Sequence, residues 1–501
     1  MTEIQTPLSL ADATVRLGPI QQLVGGRWVN SRDGSTLSVE CPANRQVIAE
    51  IPSSGEADVD DAVQAARSAF GAWSRMPPAE RGRLLQKIAD ALDTGAGELA
   101  RIVAHETGNA IRTQSRPESY LCGAVFRYFG GLASELKGMT LPLGDAVLSY
   151  TRREPIGVVG AIVPWNAPVS LAAIKLAPAL CAGNTVVLKP AEDASLGVLW
   201  MAEVCSRFLP PGVLNVVTGT GLACGAALVN HPGVDKLTFT GSTAVGKGVM
   251  VAAAAHVLPV SLELGGKSPS IVAQDADEAW VAEAVASAMR FTRQSQSCTA
   301  GSRLFVHESV FDSFLDRLAQ HVQGYRIGDP LDESTDMGTL INRRQFDRVR
   351  GYIAEGLSTP QVRTITGGLP FEDGPLAAGY YCKPTIFASP TNDWKLAREE
   401  IFGPVLVAIP WRDDDEVVRM ANDSHYGLAA YVFSRDTARA LRMAHRIESG
   451  WVQVNQGKSQ QPGQPYGGFK QSGLGKELSL DSMLDGFSRH KCVTVNLDLP
   501  P

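Results

Sequence analysis

This sequence predicts a doubly wound α/β fold in two lobes, and three observations point to it. From residue 157 to residue 264, short apolar runs alternate with helix-like stretches. That is the pattern of a parallel sheet with helices on both faces. A second alternating block runs from residue 269 to about residue 450 and reads as another α/β unit. Two further segments, 148–155 and 491–497, alternate polar and apolar residues outside both blocks, as strands with one wet face do.

The totals are compatible with that reading. The chain has 501 residues, 44% hydrophobic and 20% charged, enough for two or three domains. Lys plus Arg is 46 and Asp plus Glu is 52, so the net charge is 46 − 52 = −6. A mild acidic excess leaves no electrostatic footprint for nucleic acid or for an anionic membrane. Apolar runs such as 249–264 are interrupted by His256, Pro259 and Glu263, short of the ~18 residues a membrane span needs. The first residues lack the basic start and apolar core of a signal peptide, and the expected location is cytoplasmic. The eight cysteines are scattered, without CxxC or His-rich spacing, which argues for reduced thiols and no structural metal.

Taken in order, residues 1–20 read as a loosely ordered lead-in, with structure starting at Leu23-Val24-Gly25-Gly26-Arg27-Trp28-Val29. Val59, Val63, Ala66, Phe70 and Trp73 recur at helical spacing and predict a helix over 58–73. Pro77-Pro78 opens another through Leu85, Ile88 and Leu92, proline being tolerated in a first turn. The helical pattern continues over 98–107 and 118–136. In the regular block, strands are expected at 157–163, 185–188, 213–217, 236–240 and 260–264, and helices at 169–181, 196–208, 223–230 and 243–255. Ligands belong at the carboxyl ends of such strands. The second block holds apolar strands at 269–272, 303–306 and 405–410 and a helix at 310–322.

The chain is organised around Gln294-Ser295-Gln296-Ser297-Cys298-Thr299-Ala300-Gly301-Ser302. A helical pattern over 282–291 precedes this stretch and a buried strand follows it. A lone cysteine is commonly an inert small hydrophobe, but a thiol at such a junction, among small side chains, is open to a reactant. Pro164-Trp165-Asn166-Ala167-Pro168 follows the first strand, and its prolines restrict the backbone around Asn166. That amide can cap a turn or stabilise an oxyanion. Lys189 and Glu192 follow the second strand, where a carboxylate complements a helix dipole or accepts bonds from a ribose. Gly241 and Ser242 precede a helix, as ordinary turn residues or as a pyrophosphate cradle, and Gly219, Gly221 and Gly225 form a weaker glycine-rich loop. Glu263 ends the last strand between Leu262 and Leu264, where desolvation would raise its pKa and suit a general base. Glu399-Glu400-Ile401-Phe402-Gly403-Pro404 puts an acidic pair before a turn, either solvated or holding a second ribose.

Residues 164–166, 239–246, 263–269, the Cys298 segment, 400–404 and 465–473 occur in the order and approximate spacing of the aldehyde dehydrogenase superfamily, which the chain resembles over roughly residues 23 to 497. The resemblance implies a Rossmann-like cofactor domain (1–132 and 157–265), a catalytic α/β domain (266–477) and a β-arm for oligomerisation (133–156 and 478–501). It implies Cys298 as nucleophile, Asn166 as oxyanion donor, Glu263 as base and Lys175 as a helper. It also implies Trp165, Lys189, Glu192, Gly225, Gly241, Ser242, Glu400 and Phe402 as cofactor contacts. Ala167, Leu171, Ile174, Ser297, Gln460 and Tyr466 would line the aldehyde funnel. Several family members carry bulky aromatics where Ala167, Ile174 and Gln460 stand here, which points to a bulky or functionalised aldehyde. Lys458 either brings positive charge to the mouth or is solvated. Glu192 favours NAD while leaving NADP open, and the expected assembly is a homodimer or homotetramer. Coenzyme A acylation and a non-catalytic relative are the alternatives. Glu263 speaks against the first, and the thiol and base together against the second.

Overall fold

Five parallel strands carry the candidate site. They belong to an eight-stranded sheet ordered Arg27–Val29, Gln22–Val24, Leu214–Val216, Thr185–Lys189, Val158–Ile162, Lys236–Thr240, Val260–Glu263 and Gly473–Leu474. From Val158–Ile162 the chain winds outward through Thr185–Lys189 to Leu214–Val216. It then returns to lay Lys236–Thr240 on the other side of the first strand. The order therefore reverses between Val158–Ile162 and Lys236–Thr240, the crevice where an open α/β sheet binds its ligands. This computed structural model describes residues 20–498. The lead-in expected over 1–20 lies almost wholly outside the described residues.

A second sheet holds Arg363–Thr366, Thr385–Ala388, Val405–Trp411, Arg303–His307, Pro269–Val272, Ala429–Phe433 and Trp451–Val454 in that order, parallel except for its first pair. Both sheets read as continuous apolar runs because helices bury both faces. Residues of Thr185–Lys189, Arg303–His307 and Ala429–Phe433 are all buried.

The helical expectations hold in the main; the helix expected over 118–136 ends at Gly131, that over 223–230 is a π turn at Gly221–Gly225 followed by a single turn, Ala226–Val229, and two others change more. Instead of separate stretches over 77–92 and 98–107, one helix runs unbroken from Pro78 to Thr107. Gly95 does not interrupt it. A Cβ there would come within 2.3 Å of the Trp200 ring, so the glycine admits the indole of the neighbouring helix Leu196–Ser206. The helix expected to reach residue 291 instead ends at Ala288. Arg290 there turns left-handed, and its guanidinium donates to the carbonyls of Gly457 (3.1 Å) and Lys458 (2.8 Å).

The two outlying segments do pair. Ser488–Asn496 runs antiparallel to Val147–Pro155, with Cys492 opposite Thr151, and Thr140–Pro142 adds a third strand. The single wet face expected of them gives way to half-burial along most of Val147–Pro155 and exposure along nearly all of Ser488–Asn496. Leu141, Leu148, Val495 and Leu497 stand exposed on or beside this sheet.

Candidate active site

The thiol segment is held by strain and by buried amides. Arg290, Gln294 and Ser295 have φ of 60°, 51° and 52°, left-handed conformations that cost roughly 1–3 kcal/mol each in non-glycine residues. The turn closes through Ser295 N–H to Arg290 O at 2.8 Å, and Gln296 accepts the Ile341 N–H at 3.0 Å. This leaves Cys298 half-buried, beside the junction with the strand Arg303–His307. Gly266 makes the packing possible, since a Cβ at that position would meet the Cys298 carbonyl oxygen at 2.2 Å. Burial pushes the Cys298 thiol up to about 11, while a hydrogen bond from Tyr466 and its own backbone N–H pull in the other direction. The resting side chain is thus a thiol that must lose its proton to react.

Asn166 sits at the end of the first strand, as expected. Its side-chain N–H₂ donates one bond to the carbonyl of Gln296 at 2.9 Å, tying the loop after the strand to the thiol segment. Asn109 holds the other side, donating to the Asn166 carbonyl at 3.2 Å. An amide has two N–H donors, so the second is available to a reactant.

Glu263 ends the strand Val260–Glu263, and both of its carboxylate oxygens are buried without a hydrogen-bond partner. Gly467 lets the chain pass over it. With φ of +156° there, a Cβ would fall 2.7 Å from the Glu263 Oε1. Burial raises the Glu263 carboxyl well above the usual range; Glu477 pushes the same way, and Lys175 and Lys476 oppose them. A desolvated carboxylate of this kind is a strong base once ionised.

Glu477 is a residue that sequence reasoning missed. Lys175, fully buried in the helix Pro168–Ala182, donates to Glu477 at 2.7 Å and to the Thr238 hydroxyl at 3.0 Å. The glutamate lies in a polar stretch with no strand or helix period and reaches the site through its pairing with Tyr466. Tyr466, expected only as a funnel residue, also places its hydroxyl 3.3 Å from the Cys298 Sγ.

The remaining funnel residues are partly assembled. Leu171, Ile174, Tyr466 and Cys298 join one apolar cluster. Ala167 is buried just ahead of the same helix, Ser297 bonds to the Thr299 hydroxyl, and Gln460 is half-buried in the loop after Trp451–Val454.

The expected cofactor residues line the carboxyl ends of the parallel strands in spatial order. Lys189 ends one strand with Glu192 just beyond it, Trp165 follows the next, and Gly241 and Ser242 the third, ahead of Glu263. Three inter-strand steps span about 14 Å. Burial pushes the Glu192 carboxyl up, but Lys189 at 3.2 Å and the backbone N–H groups of Glu192 and Gly221 together outweigh that and hold it below the ordinary value, so it stays charged. Ser242 caps the helix Thr243–Ala255, whose first residues are open to solvent, and such N–H groups bind anions. Gly225 closes a π-helical turn, and a Cβ there would make only ordinary contacts, with Lys189 and Thr220. Across the crevice, Phe402 meets Trp165 edge to face at 5.4 Å. Glu400 uses one oxygen to accept the Gly266 N–H at 2.9 Å, and burial lifts its carboxyl to about 7. Lys267, also overlooked from sequence, is buried with its ammonium unpartnered and pushed down to about 7 by burial. Two carboxylates, an anion-binding helix end and an aromatic wall suit the hydroxyls, phosphates and ring of a dinucleotide.

No group of three or more metal-ligating side chains occurs among the described residues, and no helix there is long and apolar enough to cross a membrane.

Comparison with known proteins shows the family. Residues 28–493 match the model of the aldehyde dehydrogenase family. The chain is 42% identical over 475 residues to aldehyde dehydrogenase 1 of Tanacetum cinerariifolium, covering 94% of each protein. Among solved structures, it is similar to PnpE in complex with nicotinamide adenine dinucleotide (TM-score 0.93, 39% identity, 96% of this chain and 99% of that one). It is also similar to the betaine aldehyde dehydrogenase of Staphylococcus aureus in complex with NAD+ (TM-score 0.93, 31% identity, 96% of each chain). On its sequence, its two sheets and the residues gathered at their junction, the chain belongs to the aldehyde dehydrogenase family.

Proposed function

We propose that the protein oxidises an aldehyde to the carboxylic acid with NAD, through a covalent adduct on Cys298 that is hydrolysed with Glu263 as base. The observation that carries this reading is the convergence of a half-buried thiol, an amide with a spare donor and an unpartnered carboxylate. Lys189, Glu192, Gly225, Gly241, Ser242, Glu400, Trp165 and Phe402 would hold the dinucleotide. Glu192 would accept ribose hydroxyls and repel a 2′-phosphate, which favours NAD over NADP. When bound, the nicotinamide supplies the hydride acceptor that turns a thiohemiacetal on Cys298 into a thioester.

The chain's own residues do the rest. The Cys298 thiolate adds to the aldehyde carbonyl. The oxyanion takes the free Asn166 N–H and the Cys298 backbone N–H, an interaction whose loss costs about 3–4 kcal/mol of barrier. Glu263 then takes a proton from water as it attacks the thioester, the C–S bond breaks, and Lys175 with Glu477 sets the field in which that proton moves. A competent base favours hydrolysis over transfer to coenzyme A.

Non-aromatic side chains at Ala167, Ile174 and Gln460 favour a bulky or functionalised substrate: aromatic, long-chain or a semialdehyde. The Cys298-containing lobe (266–477), the cofactor lobe (1–132 and 157–265) and the arm (133–156 and 478–501) would act as separate units. The uncovered arm sheet would pair with a second copy in a homodimer or homotetramer. The test is formation of reduced cofactor on a panel of aldehydes, with NAD and NADP in parallel, no coenzyme A, and Cys298→Ala as control. Turnover that requires coenzyme A, or that survives loss of Cys298, overturns the reading. A preference for short alkanals removes the wide funnel.

A further inference from the structure

Three buried aromatic rings form a ladder beneath the thiol segment. Tyr431 and Trp451 lie on adjacent parallel strands and meet edge to face at 6.2 Å; Trp451 and Tyr466 meet the same way at 6.1 Å. Each terminal ring carries a hydroxyl to the segment. Tyr431 donates to the Thr299 carbonyl at 2.9 Å, and the Tyr466 hydroxyl lies 3.3 Å from the Cys298 Sγ. The Tyr466 backbone is fixed as well, donating to the Glu477 carbonyl at 3.0 Å and accepting its N–H at 2.7 Å. With ring and backbone both held, the hydroxyl is aimed at the sulfur by the fold.

A side chain needed only for funnel shape has no use for a buried hydroxyl, which is costly unless partnered. Here the partner is the reacting atom. Burial and the neighbouring sulfur both push the phenol well above its ordinary pKa, so it stays protonated and remains a donor. A hydrogen bond to a charged acceptor is about twice as strong as one to a neutral acceptor, so the contact favours thiolate over thiol.

We propose that Tyr466 is a catalytic residue, its hydroxyl donating to the Cys298 sulfur whenever that atom carries negative charge. The inference rests on the assignment of Cys298 as nucleophile. Before attack, the thiol proton leaves to solvent and the phenol steadies the thiolate. As the C–S bond forms, the sulfur pair enters the bond and the carbonyl pair moves to oxygen. In hydrolysis, water adds to the thioester and gives its proton to Glu263. The C–S bond then breaks with its pair returning to sulfur, where the phenol meets it again.

The test is Tyr466→Phe, which keeps the ring and the ladder, with Tyr431→Phe as the matching change at the other end. The pH dependence of Cys298 alkylation by iodoacetamide is followed on the Cys298 peptide by mass spectrometry, alongside the pH profile of kcat/KM. In Tyr466→Phe the midpoint should rise by about one unit, or tenfold in thiolate population. A less stabilised thiolate is also more nucleophilic, with a Brønsted slope of about 0.4–0.5. Below the midpoint the rate should therefore fall only about threefold, and above it the variant should equal or overtake the parent. Tyr431→Phe should leave the midpoint in place. An unmoved midpoint in Tyr466→Phe, or an equal shift in both variants, would overturn the proposal and leave Tyr466 a packing residue. Turnover that survives Cys298→Ala would instead bring down the nucleophile assignment, a separate failure.

Discussion

Lys175 and Glu477 offer a prediction in which two substitutions move one property in opposite directions. The pair is 2.7 Å apart with the lysine fully buried. At an effective dielectric of about 20, the attraction is about 6 kcal/mol, similar in size to the cost of withdrawing both ions from water. Removing either partner strands the other charge, so Lys175→Met should destabilise the fold by roughly 3–5 kcal/mol, with Glu477→Gln toward the lower end because an amide still hydrogen-bonds. The base responds differently to each. Glu477 pushes the Glu263 carboxyl up and Lys175 holds it down. As pH rises through that raised pKa, Glu263 loses its proton and becomes competent, so deacylation should show a rising limb. Lys175→Met should move this limb to higher pH and Glu477→Gln to lower pH, each by about one unit, or 1.4 kcal/mol of differential interaction. The assay is hydrolysis of p-nitrophenyl acetate, which acylates a thiol without cofactor; an initial burst of nitrophenolate identifies acyl-enzyme discharge as the slow step. Limbs that move the same way in both variants, or slower turnover with no movement, would refute the electrostatic coupling and leave the pair as scaffolding.

Other substitutions separate the steps. Glu263→Gln should slow deacylation by about 10²–10⁴-fold, the usual contribution of a positioned base, and the acyl adduct should persist on the Cys298 peptide in mass spectra. Asn166→Ala should lower kcat by about 10²–10³-fold with little change in KM, as expected for a donor that acts in the transition state. Glu192→Gln should raise the ratio of NADP to NAD efficiency about tenfold, the effect of removing a half-exposed like charge, measured as kcat/KM for the two cofactors.

What could be read from the sequence was whatever repeats locally. Apolar runs of four or five residues separated by helical spacing mark the parallel strands because burial on both faces leaves no room for polar side chains. Those strand ends then place Asn166, Gly241 and Glu263 without knowledge of any contact. The thiol segment stood out by composition. Glu477 and Lys267 did not, because the partner of the first lies far away in sequence and the burial of the second is set by the fold, and a glutamate in a polar stretch looks like any solvated one. The Tyr466 hydroxyl was invisible for a related reason: the family resemblance implied only a ring in a funnel, and the register with Glu477 turns its oxygen to the sulfur. The gap between the stretches ending at Leu92 and starting at residue 98 is likewise closed by the fold: glycine commonly weakens a helix, yet Gly95 accommodates Trp200 and the helix passes through.

The short strand Gly473–Leu474, laid against Leu262 and Glu263, has a consequence for how the protein is made. The edge beside the base is closed by a segment roughly two hundred residues later in the chain. At a synthesis rate of about 5–20 residues per second, the nascent sheet would wait roughly 10–40 seconds with that edge unpaired. An open strand edge is a template for wrong partners, so the ribosome-bound chain should lean on chaperones over this interval. Truncations ending between the two strands should aggregate, while those ending beyond residue 474 should gain solubility abruptly.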